Sequence, residues 1–158
     1  MNKKKNNKGF SLIELIIAIA ILIILTGLLA PQFMKYIEKS REAKDMQTLD
    51  TVYSAVQGAI ADEAAYDELV AKMAAGGDFA TINKGMSIDD VLSKGDDFAD
   101  ELKAILGQDS FKFTSKASGA NTNKLYIIID DAMQVGVVYG SAANAPEGDF
   151  HVGIAAAN

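Results

Sequence analysis

The chain has 158 residues, room for one domain of ordinary size, and carries 15 Lys and Arg against 21 Asp and Glu, a net charge of −6. It has no cysteine and one histidine, His151, which excludes a disulfide framework, thiol nucleophiles, Cys-ligated metals and a His cluster. Lys3, Lys4, Lys5 and Lys8 crowd the first nine residues without an acid, so the rest of the chain is more acidic still and a poor match for a phosphate backbone.

The first 34 residues dominate. From Phe10 to Met34 the one ionisable side chain is Glu14, and Leu15 to Leu25 is uninterrupted apolar sequence. As a helix, Phe10 to Ala30 spans about 31 Å, close to a bilayer core of about 30 Å. It is apolar all round, unlike a surface helix. The positive-inside rule keeps the lysines cytoplasmic and puts the body outside. A cleaved secretory signal fits less well. Its apolar core is shorter, and cleavage after Ala30 would leave Pro31 just past the cut. An uncleaved signal anchor fits the apolar run better.

Glu14 separates the remaining readings. A carboxylate near the centre of a membrane helix costs about 2.5–3.5 kcal/mol, and such groups usually have a partner. Glu14 either sits at the membrane edge and stays wet, or a cation is delivered to it. The next cation along the chain is Lys35, more than five helical turns away. A new N-terminus, made by cutting before Phe10, is the nearer source.

The run Lys8-Gly9-Phe10-Ser11-Leu12-Ile13-Glu14 resembles the processing motif of type IV prepilins and pseudopilins. Gly9, Phe10, Glu14 and Pro31 match that family's spacing, and the likeness covers about the first 40–60 residues. The resemblance implies cleavage after Gly9 by a prepilin peptidase and N-methylation of Phe10. It implies that Glu14 pairs with a neighbouring subunit's amine and sets axial register. A Gly9 without a side chain suits close approach of a peptidase to the backbone. A methylated amine stays basic and can donate a charge-assisted hydrogen bond to Glu14.

Pro31 marks either the end of the membrane helix or a bend in a longer one. It lacks an N–H and crowds the carbonyl of Gly27, itself a poor helix former. The expected outcome is a bend or local melting at Gly27 to Pro31.

Beyond Pro31 the helical period persists. Leu49, Val52, Tyr53, Val56 and Ile60 share one face, so a single helix is expected from about Phe10 to Ala61. Asp62 to Ala75 is helical too, as an extension or as a separate helix after a bend, and Gly76-Gly77 ends it. Ser87 caps a short helix that stops near Gly95, and Asp97 to Leu106 forms another closed by Gly107. Strands are expected at Phe111 to Thr114, Leu125 to Ile129, Gln134 to Tyr139 and Phe150 to Ile154. Asp130 to Met133 links the middle pair. Ser115 to Asn123 and Ser141 to Asp149 read as exposed loops.

The fold class expected is α+β: a long N-terminal helix spine, its apolar half transmembrane, packed against a small antiparallel sheet with short extra helices. Residues 1–9 form the leader, 10–34 the membrane or filament-core helix, and 35–158 the extracellular head. No catalytic constellation, cofactor fingerprint or metal site is expected. His151 reads as a strand residue. Gly136 and Gly140 make no nucleotide-binding loop. The pairs Asp89-Asp90, Asp96-Asp97 and Asp130-Asp131 suit helix starts and turns. Some pseudopilins bind Ca²⁺ in a C-terminal loop, but Asp130, Asp131, Glu147 and Asp149 carry no pattern that transfers that role.

The resemblance implies a structural subunit polymerised into a surface filament for adhesion, motility or aggregation. Its partners would be further copies of itself, the prepilin peptidase, a platform protein, an assembly ATPase and, before assembly, membrane lipid. A pseudopilin of a type II secretion or competence DNA-uptake system shares the same N-terminus. A signal-anchored extracellular binding domain is the third reading. Family members often pin the C-terminal region with a disulfide, and this chain departs from them in having no cysteine.

Overall fold

A computed structural model describes residues 9–74, 76–119 and 122–155. Lys3, Lys4, Lys5 and Lys8 of the expected leader lie outside the described residues. The chain divides into two units, Met1–Glu38 and Lys39–Asn158.

The first unit is helical from Leu12 and belongs to α1, Leu12–Ala61, whose helical assignment is unbroken through Gly27 and Pro31. Its large apolar side chains from Leu12 to Tyr36 are 50–75% exposed. This is one helix long and apolar enough to cross a membrane. By contrast Leu49, Val52, Val56 and Ala59, on the α1 residues of the second unit, are fully buried.

The second unit adds α2 (Glu63–Met73), β1 (Met86–Ser87), α3 (Ile88–Leu92), α4 (Asp97–Leu106), β2 (Lys124–Ile129), β3 (Val135–Ala142) and β4 (Ala145–Gly153). Single 3-10 turns lie at Ile82–Lys84 and Lys116–Ser118. The four strands form one antiparallel sheet in the order β1-β2-β3-β4. Leu125, Ile127, Ile129, Val135 and Val137 share a core with Leu49, Val52 and Val56 of α1, and with Phe98 and Leu102 of α4. Each such side chain taken fully out of water contributes about 1.5–3 kcal/mol. The α+β architecture is the one expected.

Helix boundaries follow local chemistry. Asp62 ends α1 and starts α2: it stands in extended backbone, and its side chain accepts the Ala65 N–H at 3.0 Å. Glu63–Met73 is therefore a separate helix after a bend, not an extension of α1. Ser87 caps α3 and Asp96 caps α4, and Gly107 closes α4 in the left-handed conformation with its N–H on the Lys103 carbonyl.

One expected strand is absent, one expected loop is strand, and one short strand was not anticipated, each for a physical reason. Phe111 to Thr114 is not a strand. Its end is held by the carboxylate of Asp45, which accepts the Thr114 N–H at 3.1 Å and the Ser115 N–H at 2.8 Å. Those donors go to a side chain instead of a ladder. Ser141 to Asp149 is not a loop. It carries the end of β3, a two-residue turn at Ala143 and Asn144, and the start of β4, with Ala142 paired to Ala145. A Cβ at Gly140 would lie 2.1 Å from the Ala145 carbonyl oxygen, so glycine admits this close return. Met86 and Ser87 pair with Ile127 and Tyr126 as an edge strand too short to show a period.

Candidate functional site

The candidate processing segment is where α1 begins. Gly9, Phe10 and Ser11 are non-helical and exposed, Phe10 to 93%. A Cβ built at Gly9 meets nothing within 4 Å. Among the described residues, nothing therefore packs on the Gly9 Cα, and the Gly9–Phe10 bond lies in exposed backbone immediately before a helix.

Ser11 is the N-cap position, and its carbonyl accepts the first intrahelical bond, from the Leu15 N–H at 3.2 Å. Glu14 stands three residues into the turn, and its Oε2 accepts the Ser11 backbone N–H at 2.9 Å. This is the returning half of a capping box, which the Ser11-Leu12-Ile13-Glu14 spacing permits. An N-terminal turn also favours a carboxylate through the helix dipole. The bond turns Glu14 toward the end at which cleavage would leave an amine on Phe10. Glu14 therefore has a local structural task in the uncut chain besides any pairing after cleavage.

Gly27 and Pro31 lie one turn apart inside α1. Pro31 has no N–H to give the Gly27 carbonyl. A Cβ at Gly27 would also meet nothing within 4 Å. These two are far along the helix from Gly9, Phe10 and Glu14, and the structure brings none of the three to them.

In the second unit the Asp pairs act as caps and turns. Asp90 accepts from Ser87 Oγ at 2.6 Å and gives its own backbone N–H to Ser87. Asp130 Oδ1 accepts the N–H groups of Ala132 and Gln134 at 3.0 and 2.7 Å, which shapes the β2–β3 turn. Met133 in that turn has a positive φ of 58°. His151 stands exposed on β4 opposite Val138. Asp149 is exposed, and the Glu147 side chain lies outside the described residues.

Two polar clusters were not anticipated. Asp45 is 1% exposed and receives two backbone N–H groups. Its signal was its place on the Leu49–Val52–Val56 face, a core position held by an acid. The second cluster centres on Lys72, whose Nζ lies 3.1 Å from Asp96 Oδ2 and 3.0 Å from Glu68 Oε1. Hydrogen bonding to Glu68, then to Asp96, holds the Lys72 ammonium above its ordinary pKa. The bond from Lys72, then that from the Asp97 backbone, holds Glu68 below its own. The cluster fastens α2 to the capped start of α4. The Glu68–Lys72 spacing shows it in part, but Asp96 is 24 residues from Lys72.

Residues 4–30 match the family model described as the prokaryotic N-terminal methylation motif. The chain carries the type IV prepilin-like signal. The match covers Gly9, Phe10, Glu14 and Gly27 and stops one residue before Pro31; residues 4–8 lie outside the described residues. No curated protein and no solved structure matches the chain.

Proposed function

We propose that this chain is a pilin: a structural subunit, not an enzyme, cut after Gly9, methylated on Phe10 and polymerised through residues 10–34 into a surface filament. The observation that carries this reading is the join of an open Gly9–Phe10 bond to a capped helix start with Glu14 turned back toward it. The bare apolar helix that follows supports it.

The precursor inserts with its lysines on the cytoplasmic side. The peptidase cuts, and the new amine replaces a neutral amide with a cation. Glu14 accepts from the amine of a neighbouring subunit, which matches a charge that is costly to leave alone in a low-dielectric bundle. A subunit out of register leaves Glu14 unpaired and is rejected. Helix–helix packing then takes the place of lipid contact, so the apolar run never faces water. Gly27 to Pro31 is the stretch at which α1 bends or loosens in the filament, because one carbonyl there has no helical donor. The leader comprises residues 1–9 and the extracellular head residues 35–158. Platform protein and assembly ATPase supply the work of extraction.

The test is Glu14→Ala in the native cells. Insertion and cleavage proceed, while sheared filaments fall to a small fraction of wild type. A normal filament yield from Glu14→Ala overturns the pairing role. Long filaments in the sheared fraction mark a pilin, and their absence from processed wild-type protein favours the short-filament pseudopilin.

A further inference from the structure

The head carries its charge unevenly along the chain. Residues 110–129 hold Lys112, Lys116 and Lys124 and no acid. Residues 62–101 hold eleven acids against Lys72, Lys84 and Lys94. Each segment contributes a distinct surface to the second unit.

The basic segment lines a cleft of about 340 Å³ with α3, the start of β2 and Tyr139 of β3. Phe111, Phe113 and Tyr139 form its apolar wall and are half-buried. Phe113 and Tyr139 stack at 3.8 Å between ring centroids, 14° from parallel, which fixes the wall. Lys112 and Lys124 stand exposed on the rim, and neither makes an ion pair among the described residues. One acid, Asp89, shares the lining. The cleft is large enough to take a side chain, and it joins apolar ring surface to two cations.

The acidic segment offers a matching shape. Along α2, Glu63, Tyr66, Asp67 and Val70 follow at i, i+3, i+4 and i+7, one face of a helix. All four are exposed, Tyr66 by 40% and Val70 by 42%. The opposite face buries Ala65 and Leu69 in the core. An aromatic and a branched aliphatic thus stand exposed between two carboxylates, and among the described residues neither carboxylate makes an ion pair and the Tyr66 ring stacks on no other ring.

We propose that the cleft of one head receives the Glu63–Tyr66–Asp67–Val70 stripe of a second copy of this chain. Tyr66 enters against Phe113 and Tyr139, and Glu63 and Asp67 meet Lys112 and Lys124 at the rim. The mode is a helix face laid into a groove. The two surfaces are different patches, so the contact is heterologous. Such a contact does not pair two copies and stop; it closes into a ring or, where the rotation between copies does not close, repeats as the open helical array that the polymer reading requires. The inference rests on the polymer reading above and names the head surfaces that would join in it.

The experiment uses the full chain in its native cells. Lys112→Glu with Lys124→Glu, and separately Glu63→Lys with Asp67→Lys, each lower the sheared filament yield about tenfold, with cleavage intact. The four-site charge swap restores the yield. Independently, Tyr66→Cys with Lys112→Cys in this cysteine-free chain gives a ladder of disulfide-linked oligomers from oxidised filaments. Either single-cysteine variant gives dimers at most. Reversals that leave the yield unchanged overturn the proposal, as do filaments of the double-cysteine variant that yield monomers and dimers alone. In both cases the filament reading stands. Wild-type cells without any filament overturn that reading first, and this inference with it.

Discussion

Replacing Asp45 by Ala removes the acceptor that holds the 111–118 segment to α1. The carboxylate is 1% exposed and accepts the N–H groups of Thr114 and Ser115 at 2.8–3.1 Å. Hydrogen bonds to a charged group contribute about 1.5–3 kcal/mol each. Thr114 is exposed and regains water when the acceptor goes, whereas Ser115 is buried and does not. The expected loss is therefore about 3 kcal/mol, below the sum of two full bonds. Asp45→Asn keeps one acceptor oxygen but turns donors toward donors, so it loses about half as much. The assay is urea unfolding of the full chain in detergent, followed by tyrosine fluorescence, since the chain has five Tyr and no Trp. With a slope near 2 kcal/mol/M, Asp45→Ala lowers the midpoint by about 1.5 M. Amide exchange at Thr114 and Ser115 quickens in the same variant. A midpoint shift under about 0.3 M with unchanged exchange at both amides refutes the reasoning.

Three further outcomes are expected. Lys72→Met lowers the urea midpoint most at intermediate pH. Lys72 has its pKa raised on folding, so its contribution is complete below the ordinary lysine value and fades as pH rises through the folded value. Glu68 has its pKa lowered, so its contribution is complete above the ordinary glutamate value and fades as pH falls through the folded value. The gap between variant and wild type therefore narrows toward both extremes, and a gap independent of pH contradicts the cluster. Gly136→Ala costs more than about 2 kcal/mol in the same assay, because its Cβ would lie 1.9 Å from the Ile154 carbonyl oxygen; stability equal to wild type contradicts that contact. Gly9→Val leaves the leader attached in native cells, and a processed Gly9→Val chain argues against close backbone approach at the cut.

Much of the fold was legible because it is local. The Leu49–Val56 period, the Ser87 cap and the Gly107 stop each depend on residues within a turn or two, and each stands where the pattern put it. One failure involves a partner far along the chain, and another a tight return that small residues disguise. Phe111-Lys112-Phe113-Thr114 alternates as a strand does, but Asp45 is 69 residues from Thr114 and takes its backbone donor. The small residues of Ser141 to Asp149 look like a loop, yet glycine and alanine there allow the tight β3–β4 return. The motif at Gly9, Phe10 and Glu14 was legible for a different reason: it is a linear signal of adjacent residues. Its geometry was not, since the pattern gave Glu14 a partner after cleavage and left unnoticed the Ser11 bond that holds it before.

The central claim is cleavage between Gly9 and Phe10 with methylation of the new end. The intact mass of the protein extracted from the membranes of its native cells tests it most directly. The account predicts a chain lacking residues 1–9 and heavier by one methyl group at Phe10. A full-length mass, in cells with a working prepilin peptidase, contradicts it and returns the chain to a signal-anchored domain.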